Sequence, residues 1–448
     1  MNDFKVYVRW RPLAQTESPL EINQSNEKHD TNYSITLSNP SAKEWKSGPS
    51  FSQVFNAIDN NKRVFQDVVK PCIPRILGGK ICNFFAYGHS GSGKSHTVIG
   101  YNYEQPDEFG LCLAAAHRLF DEMHQLNAQN TSDTDKLGLG IRMFELRGKT
   151  ALDLLNNCTE CHVREGPDGR TYIRGETEML AKGKVRVRPI ATKACWSFDD
   201  LKSELLIGLK MRATGSSSVH DQSSRTHAVV ELEIVTKALL DARDSVIERQ
   251  SELVPVGKCA TDIYIEEWSK AVTTVDGKVV PDHNYQVNQT RIDEAEALKA
   301  EFEARVREAE DQVVAVAKSC PHTCLGGKLV FVDLAGSEYY HDKATGTTQL
   351  SRPKQTPQEQ REGRQINTDL LALKEVIRAK ASNQSRIPFR SSPLTMVLRE
   401  HFVDSSSSSG GDAGHSAVIL TVSPTEEKYA ATMNTLKYGN LMGAAGRK

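Results

Sequence analysis

A short glycine-rich segment at residues 88–95 constrains this chain more than any other feature. It contains Gly88, Gly93 after four intervening residues, and then Lys94 and Ser95. This spacing fits the phosphate-binding loop pattern at every required position. Glycines there allow backbone N–H groups to turn inward around phosphate oxygens, and a following helix offers its N-terminal dipole and unpaired donors. The alternative is a glycine-rich turn that holds no ligand.

The sequence on either side places this loop between a strand and a helix. The apolar run at residues 81–87 is typical of a buried strand, and a second run at residues 329–332 ends in Asp333-Leu334-Ala335-Gly336. Buried strands whose carboxyl ends carry polar loops indicate an open α/β sheet with a ligand at its edge. Alternation over residues 4–9 predicts a first strand, and apolar spacing over residues 64–77 predicts a helix.

Three polar segments together predict a site for a nucleoside triphosphate and Mg²⁺. Lys94 should reach the β- and γ-phosphates, and the Ser95 hydroxyl should ligate the metal. Asp333 is placed to hold the water shell of the metal, and Gly336 offers an N–H to the γ-phosphate. The Ser-Ser-Arg-Thr-His segment at residues 223–227 precedes an alternating strand and could reach the metal and the lytic water. Each segment alone is also compatible with a surface loop.

Composition excludes several other classes of protein. The 448 residues include 57 acidic and 56 basic side chains, a formal net charge of −1, which argues against a uniformly basic nucleic-acid binder. No run approaches the roughly 18 apolar residues that a membrane-spanning helix needs. The charged residues among the first 13 do not fit a signal peptide. Nine scattered cysteines favour a reducing compartment, so we expect a soluble intracellular protein.

Residues 238–327 differ from the rest of the chain. They hold 17 acidic and 10 basic side chains, so this segment contributes −7 and the remainder sums to +6. Residues 291–318 are strongly helical, with apolar residues on one face: Ala295, Leu298, Phe302, Val306, Ala309, Val313 and Val316. We expect a helix that packs on its own domain; a partner helix or a short coiled coil is the alternative.

The motifs of the chain resemble those of the kinesin motor-domain family. Residues 85–97 are similar to the family's FAYGQTGSGKTHT, residues 223–227 to its switch I motif SSRSH, and residues 333–338 to its switch II motif DLAGSE. Further along, Ile366 to Leu373 resembles INKSLLAL, residues 387–390 resemble IPYR, and residues 435–438 resemble TLRFA. The matches occur in family order along nearly the whole chain.

This resemblance implies an α/β P-loop NTPase whose central, mostly parallel sheet is flanked by helices on both faces. It implies one motor domain over residues 1–448, with residues 238–327 inserted between the switch I strand and the switch II strand. The implied activity is microtubule-stimulated ATP hydrolysis with ATP or ADP and Mg²⁺ as ligands, in the cytoplasm on the microtubule cytoskeleton. The partners would be microtubules, with no nucleic acid and no membrane span. Coiled-coil or cargo regions could lie outside this chain.

The resemblance also assigns roles by position. Arg225 and Glu338 would form the salt bridge that closes switch I and switch II around the lytic water, and Gly336 would sense the γ-phosphate. Ser223 and Ser224 belong to the same catalytic set. Mg²⁺ would be ligated by Ser95 and Ser224, and held through water by Asp333. Arg386 and Arg390 would face the microtubule. Arg9, Arg11 and Pro12 would line the adenine side, with His96 against the base. The full set of nucleotide-binding residues would be Arg9, Arg11, Pro12, Gly88, His89, Ser90, Gly91, Ser92, Gly93, Lys94, Ser95 and His96.

Some departures from the family pattern leave a second function open. His220 replaces a usual asparagine before switch I, and Pro393 and Met396 stand where the pattern is basic. Residues 341–400 still carry 11 bases against 6 acids, a surface suited to acidic tubulin. The alternative to a motor is therefore a scaffold that binds nucleotide and tubulin with little or no turnover. Movement along filaments and filament remodelling are both compatible with the motifs.

Overall fold

The computed structural model describes residues 4–26, 32–39, 42–128, 133–166, 169–214, 225–275, 278–282, 284–337, 357–382, 384–403 and 415–445. Seventeen strands are found in this part of the chain. They are β1 (Phe4–Trp10), β2 (Glu21–Asn26), β3 (Tyr33–Asn39), β4 (Ala42–Lys46), β5 (Gln53–Phe55), β6 (Ile81–Tyr87), β7 (Gly138–Arg147), β8 (Thr150–Asp153), β9 (Thr159–Glu165), β10 (Thr171–Met179), β11 (Val185–Pro189), β12 (Lys193–Cys195), β13 (His227–Val235), β14 (Val272–Val275), β15 (Lys278–Pro281), β16 (Lys328–Asp333) and β17 (His415–Val422).

One large mixed sheet organises the fold. Its strand order is β11-β10-β9-β8-β7-β13-β16-β6-β17-β1-β5, and β12 pairs with β7. Pairing is parallel from β16 through β6, β17 and β1 to β5, and antiparallel from β16 to β11. The expectation of a mostly parallel sheet therefore holds for one half only. Short connections such as those between β7 and β9 allow only antiparallel neighbours, because a parallel crossover needs a dozen or more residues.

Helices cover both faces of this sheet, as the α/β class requires. The α-helices are α1 (Asn61–Val64), α2 (Ile73–Leu77), α3 (Lys94–Val98), α4 (Leu111–Asn127), α5 (Phe198–Thr214), α6 (Lys237–Lys270), α7 (Gln289–Ser319), α8 (Pro357–Ala381), α9 (Pro393–Val397), α10 (Arg399–Val403) and α11 (Tyr429–Ala445). One core cluster joins α1, α2, α4 and α5 to the sheet, and a second joins α8, α9, α10 and α11 to the opposite face.

The buried strands follow the predicted apolar runs. Residues 4–9, 81–87 and 329–332 lie in β1, β6 and β16. The predicted helix at residues 64–77 is a helical segment of mixed geometry, with a π turn at Phe65–Val69 and a 3₁₀ turn before α2. Pro71 and Pro74 explain this irregularity, because a proline has no N–H to continue a regular α-helical ladder.

The acidic segment forms a helical hairpin between two neighbouring strands. Helices α6 and α7 pack on each other and are linked through the β14–β15 ribbon. Arg291 at the start of α7 bonds the Glu267 carboxylate near the end of α6 at 2.7 Å, as expected for antiparallel helices. The partner of α7 is thus α6 of the same chain. Val306 and Ala309 are buried in the contact. Leu298 is 48% exposed, so the expectation that it packs in this contact is wrong.

Candidate nucleotide site

The glycine-rich loop lies between the end of β6 and the start of α3, as predicted. No residue with a side chain fits at position 88, because a Cβ on Gly88 would lie 2.2 Å from the carbonyl oxygen of Thr421 on β17. Gly93 has φ of 102°, a left-handed conformation that side chains other than hydrogen disfavour. The loop therefore folds as it does because glycine stands at both positions.

Lys94 is folded back onto its own loop. Its buried ammonium donates to the carbonyl oxygens of Gly88 (3.1 Å) and His89 (3.0 Å). Burial also lowers the pKa of the neighbouring His89 to about 4, which leaves this imidazole neutral at pH 7. The loop thus holds a single concentrated positive charge at its centre, placed to pair with an anion.

Asp333 and Ser95 meet beside the loop. The parallel register of β16 and β6 sets Asp333 opposite Ala86, two residues before the loop begins. The Ser95 hydroxyl donates to Asp333 Oδ2 at 2.7 Å. Within the described part of the chain, the buried Asp333 Oδ1 has no hydrogen-bond partner. A serine hydroxyl and a carboxylate are hard oxygen donors, so these two residues fit Mg²⁺.

Arg212 completes this cluster and was missed by sequence reasoning. From the last turn of α5 it donates to Asp333 Oδ2 at 3.0 Å, and its Nε lies 3.9 Å from Glu145 Oε1. The side chains of Arg212 and Asp333 are only 7% and 3% exposed. The sequence contains a weak indication of this role, because a basic residue lies in the helix that leads into the Ser-Ser-Arg segment.

The start of the 333–338 segment is bonded to the loop. The backbone N–H of Leu334 donates to Ala86 O (3.3 Å), and that of Ser337 donates to Gly88 O (3.1 Å). A Cβ on Gly336 would come within 3.0 Å of the Ser90 nitrogen. The predicted γ-phosphate sensor therefore packs directly against the phosphate-binding loop.

A cavity of about 200 Å³ lies beside the loop, on the side predicted to hold the base. Arg9 is buried within its wall, where it donates to Asn61 Oδ1 (2.6 Å) and Thr97 Oγ1 (2.8 Å). Burial lowers the pKa of Arg9 to about 10. Arg9 therefore braces the wall of the cavity. The lining residues are Arg9, Trp10, Arg11, Pro12, Ala57, Ile58, Asp59, Asn60, Ser92, Gly93, His96 and Thr97.

The other residues predicted for the base also line this cavity. Arg11 is fixed by an ion pair with Glu17 and by donation to Ser423 Oγ at 3.0 Å. The His96 ring lies 5.6 Å from that of Tyr101, and burial lowers the pKa of His96. A neutral imidazole at the cavity wall suits stacking against a planar base.

Several predicted switch residues lie outside the described part of the chain. These are Ser223, Ser224 and Glu338, together with the departure at His220. Arg225 is described, and its guanidinium lies 3.8 Å from the carboxylate of Glu362 on α8. The ion pair between Arg225 and Glu338 therefore stays a prediction.

The predicted filament-facing residues lie away from the nucleotide cavity. Arg386 is exposed, and Arg390 makes a two-pronged contact with Glu165 of β9 at 2.6 and 2.9 Å. Pro393 is the first residue of α9, after the Ser392 N-cap and its capping box with Thr395. Proline suits this position because its φ is already helical and its missing N–H would be unpaired there.

Metal-ligating clusters and membrane-spanning helices are both absent from the described ranges. These residues contain no group of three or more His, Cys, Asp or Glu side chains arranged to hold a metal ion. They also contain no helix that is long and apolar enough to cross a membrane.

Comparison with known proteins identifies the family. The family model described as the kinesin motor domain matches residues 9–256 and 302–444, most of the chain. The chain belongs to the kinesin motor-domain family. The part of this kinesin-like chain that the family model passes over, residues 257–301, is the distal end of the α6–α7 hairpin.

Plant kinesins are among the similar curated proteins. The chain is 28% identical over 442 residues to the kinesin-like protein KIN-13A of Oryza sativa subsp. japonica, covering 97% of this chain and 40% of that protein. It is 26% identical over 443 residues to the kinesin-like protein KIN-13B of Arabidopsis thaliana, covering 97% and 46%. This kinesin-like chain therefore spans less than half the length of these relatives.

Solved kinesin structures share the fold. A structure described as mutants that reveal a signalling pathway for activation of the kinesin motor ATPase aligns with a TM-score of 0.59 at 18% identity, covering 99% of this chain and 100% of that one. The motor domain of the Kar3-like kinesin from Ashbya gossypii aligns with a TM-score of 0.56 at 19% identity, covering 98% and 99%. The expected kinesin fold is confirmed.

Proposed function

We propose that this chain is a microtubule-stimulated ATPase motor domain that couples rearrangement of switch I and switch II to changes in microtubule affinity. The observation that carries the proposal is the cluster formed by Lys94, Ser95 and Asp333 at the ends of two adjacent parallel strands. Phosphoryl transfer needs mainly positioning and charge stabilisation, so a site of this composition needs no covalent nucleophile.

The proposed nucleotide is ATP or ADP with Mg²⁺. When bound, the metal supplies charge neutralisation on the phosphates. Ser95 and Ser224 would hold it, and Asp333 would act through its water shell. Lys94 would exchange the two loop carbonyls that it contacts now for phosphate oxygens. Ser92 and Gly93 line the base cavity, which joins that cavity to the phosphate loop.

The proposed hydrolytic arrangement forms when the two switches close. Gly336 would donate its N–H to the γ-phosphate, and Ser223 would help position the lytic water. The ion pair of Arg225 with Glu338 would then form over the site. Arg225 also lies 3.8 Å from the carboxylate of Glu362 on α8, a second acidic group within its reach. An Arg–carboxylate pair that exchanges partners is a discrete two-state element.

The proposed filament-binding surface includes Arg386 and Arg390. We place the chain on cytoplasmic microtubules, with no nucleic-acid partner. Residues 1–448 would form one motor domain, and residues 238–327 an insertion between β13 and β16. Further coiled-coil or cargo regions are proposed to lie outside this chain.

A scaffold with little or no turnover is the second candidate function. It is favoured by the contact of Arg390 with Glu165, which neutralises a predicted microtubule contact, and by Pro393 and Met396 at positions that are basic in the family pattern. Such a protein would bind nucleotide and tubulin without converting one state into the other.

Steady-state ATP turnover with and without microtubules distinguishes the two functions. We expect stimulation in the unmodified chain and a loss of at least about a hundredfold in Lys94→Ala and Glu338→Ala, since Lys94 would stabilise the phosphate charge in the transition state and Glu338 would close the switches. Lys299→Ala, on the surface of α7, is the matched control and should keep wild-type turnover. Basal turnover at saturating microtubules in the unmodified chain would refute the motor and favour the scaffold.

A further inference from the structure

A buried polar chain runs from the switch II backbone to helix α8. His227, the first residue of β13, accepts a hydrogen bond at Nδ1 from the Ala335 backbone N–H at 3.1 Å. Its Nε2 lies 3.8 Å from Oδ2 of Asp369, a residue of α8. The two side chains are only 3% and 5% exposed. His227 therefore lies between the backbone next to Gly336 and the helix that follows switch II.

The hydrogen bond from Ala335 fixes the protonation of the His227 ring. A backbone N–H can only donate, so Nδ1 carries the lone pair and the neutral ring has its proton on Nε2. Within the described ranges this buried Nε2 has no hydrogen-bond partner. The Nε2–H group is thus an unsatisfied donor 3.8 Å from a carboxylate oxygen, about 0.8 Å beyond an ordinary hydrogen bond.

Asp369 also contacts the start of the next helix. Its Oδ1 accepts from Gln365 Nε2 at 3.0 Å. Burial raises the pKa of Asp369, and hydrogen bonds from Gln365 and from Ser392, the N-cap of α9, oppose that rise. A buried carboxylate costs stability unless it is paired and hydrogen-bonded. The INKSLLAL pattern has serine at this position, so the carboxylate is a departure of this chain from that pattern.

We propose that His227 and Asp369 are positioning residues that couple the switch II backbone to helix α8. When Ala335 N–H withdraws from Nδ1, the ring is released at that end and the Nε2–H bond to Asp369 Oδ2 closes. Because the ring is rigid and its Cα is fixed in β13, this bond changes the position of α8 relative to the sheet. The proposal deepens the proposed function and rests on it for its role in the motor.

The coupling explains why the gap of 3.8 Å is present in this structure. Ala335 is adjacent to Gly336, which packs against the phosphate-binding loop. A shift of Gly336 toward a γ-phosphate would move Ala335 with it, since the two share a peptide bond. Asp369 then passes the movement to α8, and through Ser392 to α9, where Arg390 lies just before the helix.

Hydrogen exchange of α8 tests this coupling directly. The full chain is measured with and without a non-hydrolysable ATP analogue and Mg²⁺, for wild type, Asp369→Asn and Asp369→Ser. We expect the analogue to change exchange in residues 357–381 of the wild type by about tenfold, and this response to be lost in both variants. Thr368→Ser, an exposed neighbour on the same helix, is the matched control and should respond as wild type does.

Nucleotide affinity and ATP turnover separate coupling from folding. Both Asp369 variants should bind the analogue within about twofold of wild type and keep basal turnover, because Asp369 touches neither phosphate loop nor base cavity, whereas stimulation by microtubules should fall about fivefold or more. In a double-mutant cycle, His227→Gln with Asp369→Asn should reduce the α8 response no further than either change alone.

The outcomes distinguish this inference from the proposed function. A wild-type response of α8 in Asp369→Asn or Asp369→Ser would overturn the inference and leave the motor function intact. Absence of microtubule stimulation in the unmodified chain, with the α8 response present and lost in the variants, would refute the motor but support the coupling. A wild type whose α8 does not respond to the analogue would also overturn the inference.

Discussion

Asp333 shows how single residues prepare this site for a nucleotide. Its Oδ2 accepts bonds from both Ser95 and Arg212, while Lys94 donates to the carbonyl oxygens of Gly88 and His89 nearby. Asp333 and Lys94 therefore each have polar partners inside the protein before any ligand binds. This matters because an isolated buried charge costs several kcal/mol, whereas a paired one can exchange partners at little cost.

Arg212→Ala is expected to destabilise the nucleotide-free protein by about 3 kcal/mol. It removes one partner of a buried ion pair and leaves Asp333 without its strongest neighbouring charge. Urea unfolding measures the change, and Arg188→Ala, whose ion pair with Glu178 is exposed, should cost less than about 0.5 kcal/mol. The double variant Arg212→Ala with Asp333→Asn should recover part of the loss. Fully additive effects would show that the pair does not interact as described.

Asp369→Asn is expected to stabilise the protein at neutral pH. Burial raises the pKa of Asp369 to about 6, above the roughly 3.9 of an unfolded chain. The folded state therefore binds this proton more tightly, and wild-type stability falls as the pH rises from about 4 to about 6. The variant cannot ionise, so its advantage should grow over this range to about 2–3 kcal/mol and stay constant above it. Unfolding free energies at pH 4.5 and 7.5 test this; an advantage independent of pH would contradict it.

Among the helices and strands, those that could be predicted carry their hydrophobic pattern within a short segment of sequence. Strands β6 and β16 are buried on both faces, so their apolar runs are recognisable without knowing their neighbours. Strands β9 to β11 are half exposed and rich in charge, and they pair as consecutive antiparallel neighbours. They lack the apolar run that marks a buried strand, so the hydrophobic pattern does not predict them.

The residues of the candidate site also form two groups: those that a local sequence pattern reveals, and those that only tertiary folding brings into the site. The loop residues from Gly88 to Ser95 lie in one short segment, so their spacing alone indicates their chemistry. Arg212, by contrast, becomes part of the site only because α5 ends beside Asp333, 121 positions later in the chain. The bracing of the cavity wall by Arg9 likewise depends on Asn61 and Thr97, which tertiary folding brings to it.

The α6–α7 hairpin offers a prediction about an element with its own core. Val306 is 9% exposed in the contact of the two helices, while Leu298 on the same helix is 48% exposed. Val306→Asp should destabilise the hairpin by at least about 2 kcal/mol, because an unpaired charge enters an apolar contact. Leu298→Asp is the matched control and should have little effect. Faster hydrogen exchange in residues 292–309 of the Val306 variant alone is the expected result; equal exchange in both would contradict the helix contact described.

For the whole molecule, the near-neutral net charge is the sum of an acidic hairpin and a basic remainder. The acidic hairpin touches the basic strand β11 and the residue before it, where Arg186 bonds Glu248 and Lys184 bonds Glu252 at 3.0 Å. Strand β9 of the same sheet extension carries Glu165, the partner of Arg390. The base of the hairpin thus packs on the sheet extension that also carries the partner of a proposed microtubule contact. If the chain binds microtubules as proposed, the acidic hairpin would influence how it approaches their acidic surface.

Shortening the hairpin tests this influence. Replacing residues 257–301 by a tight turn removes 9 acidic and 5 basic side chains, a net change of +4, and leaves the contacts of Glu248 and Glu252 in place. We expect microtubule affinity at low salt to rise by about two- to fivefold, because less negative charge then faces the filament, and basal ATP turnover to stay unchanged. The gain should vanish above about 0.5 M salt, where exposed charges are screened. A hairpin of original length in which four exposed acids, Asp262, Glu296, Glu301 and Glu308, are replaced by glutamine separates charge from shape. If that variant binds as wild type does while the shortened one binds more tightly, the hairpin acts as a steric obstacle and the electrostatic account is wrong.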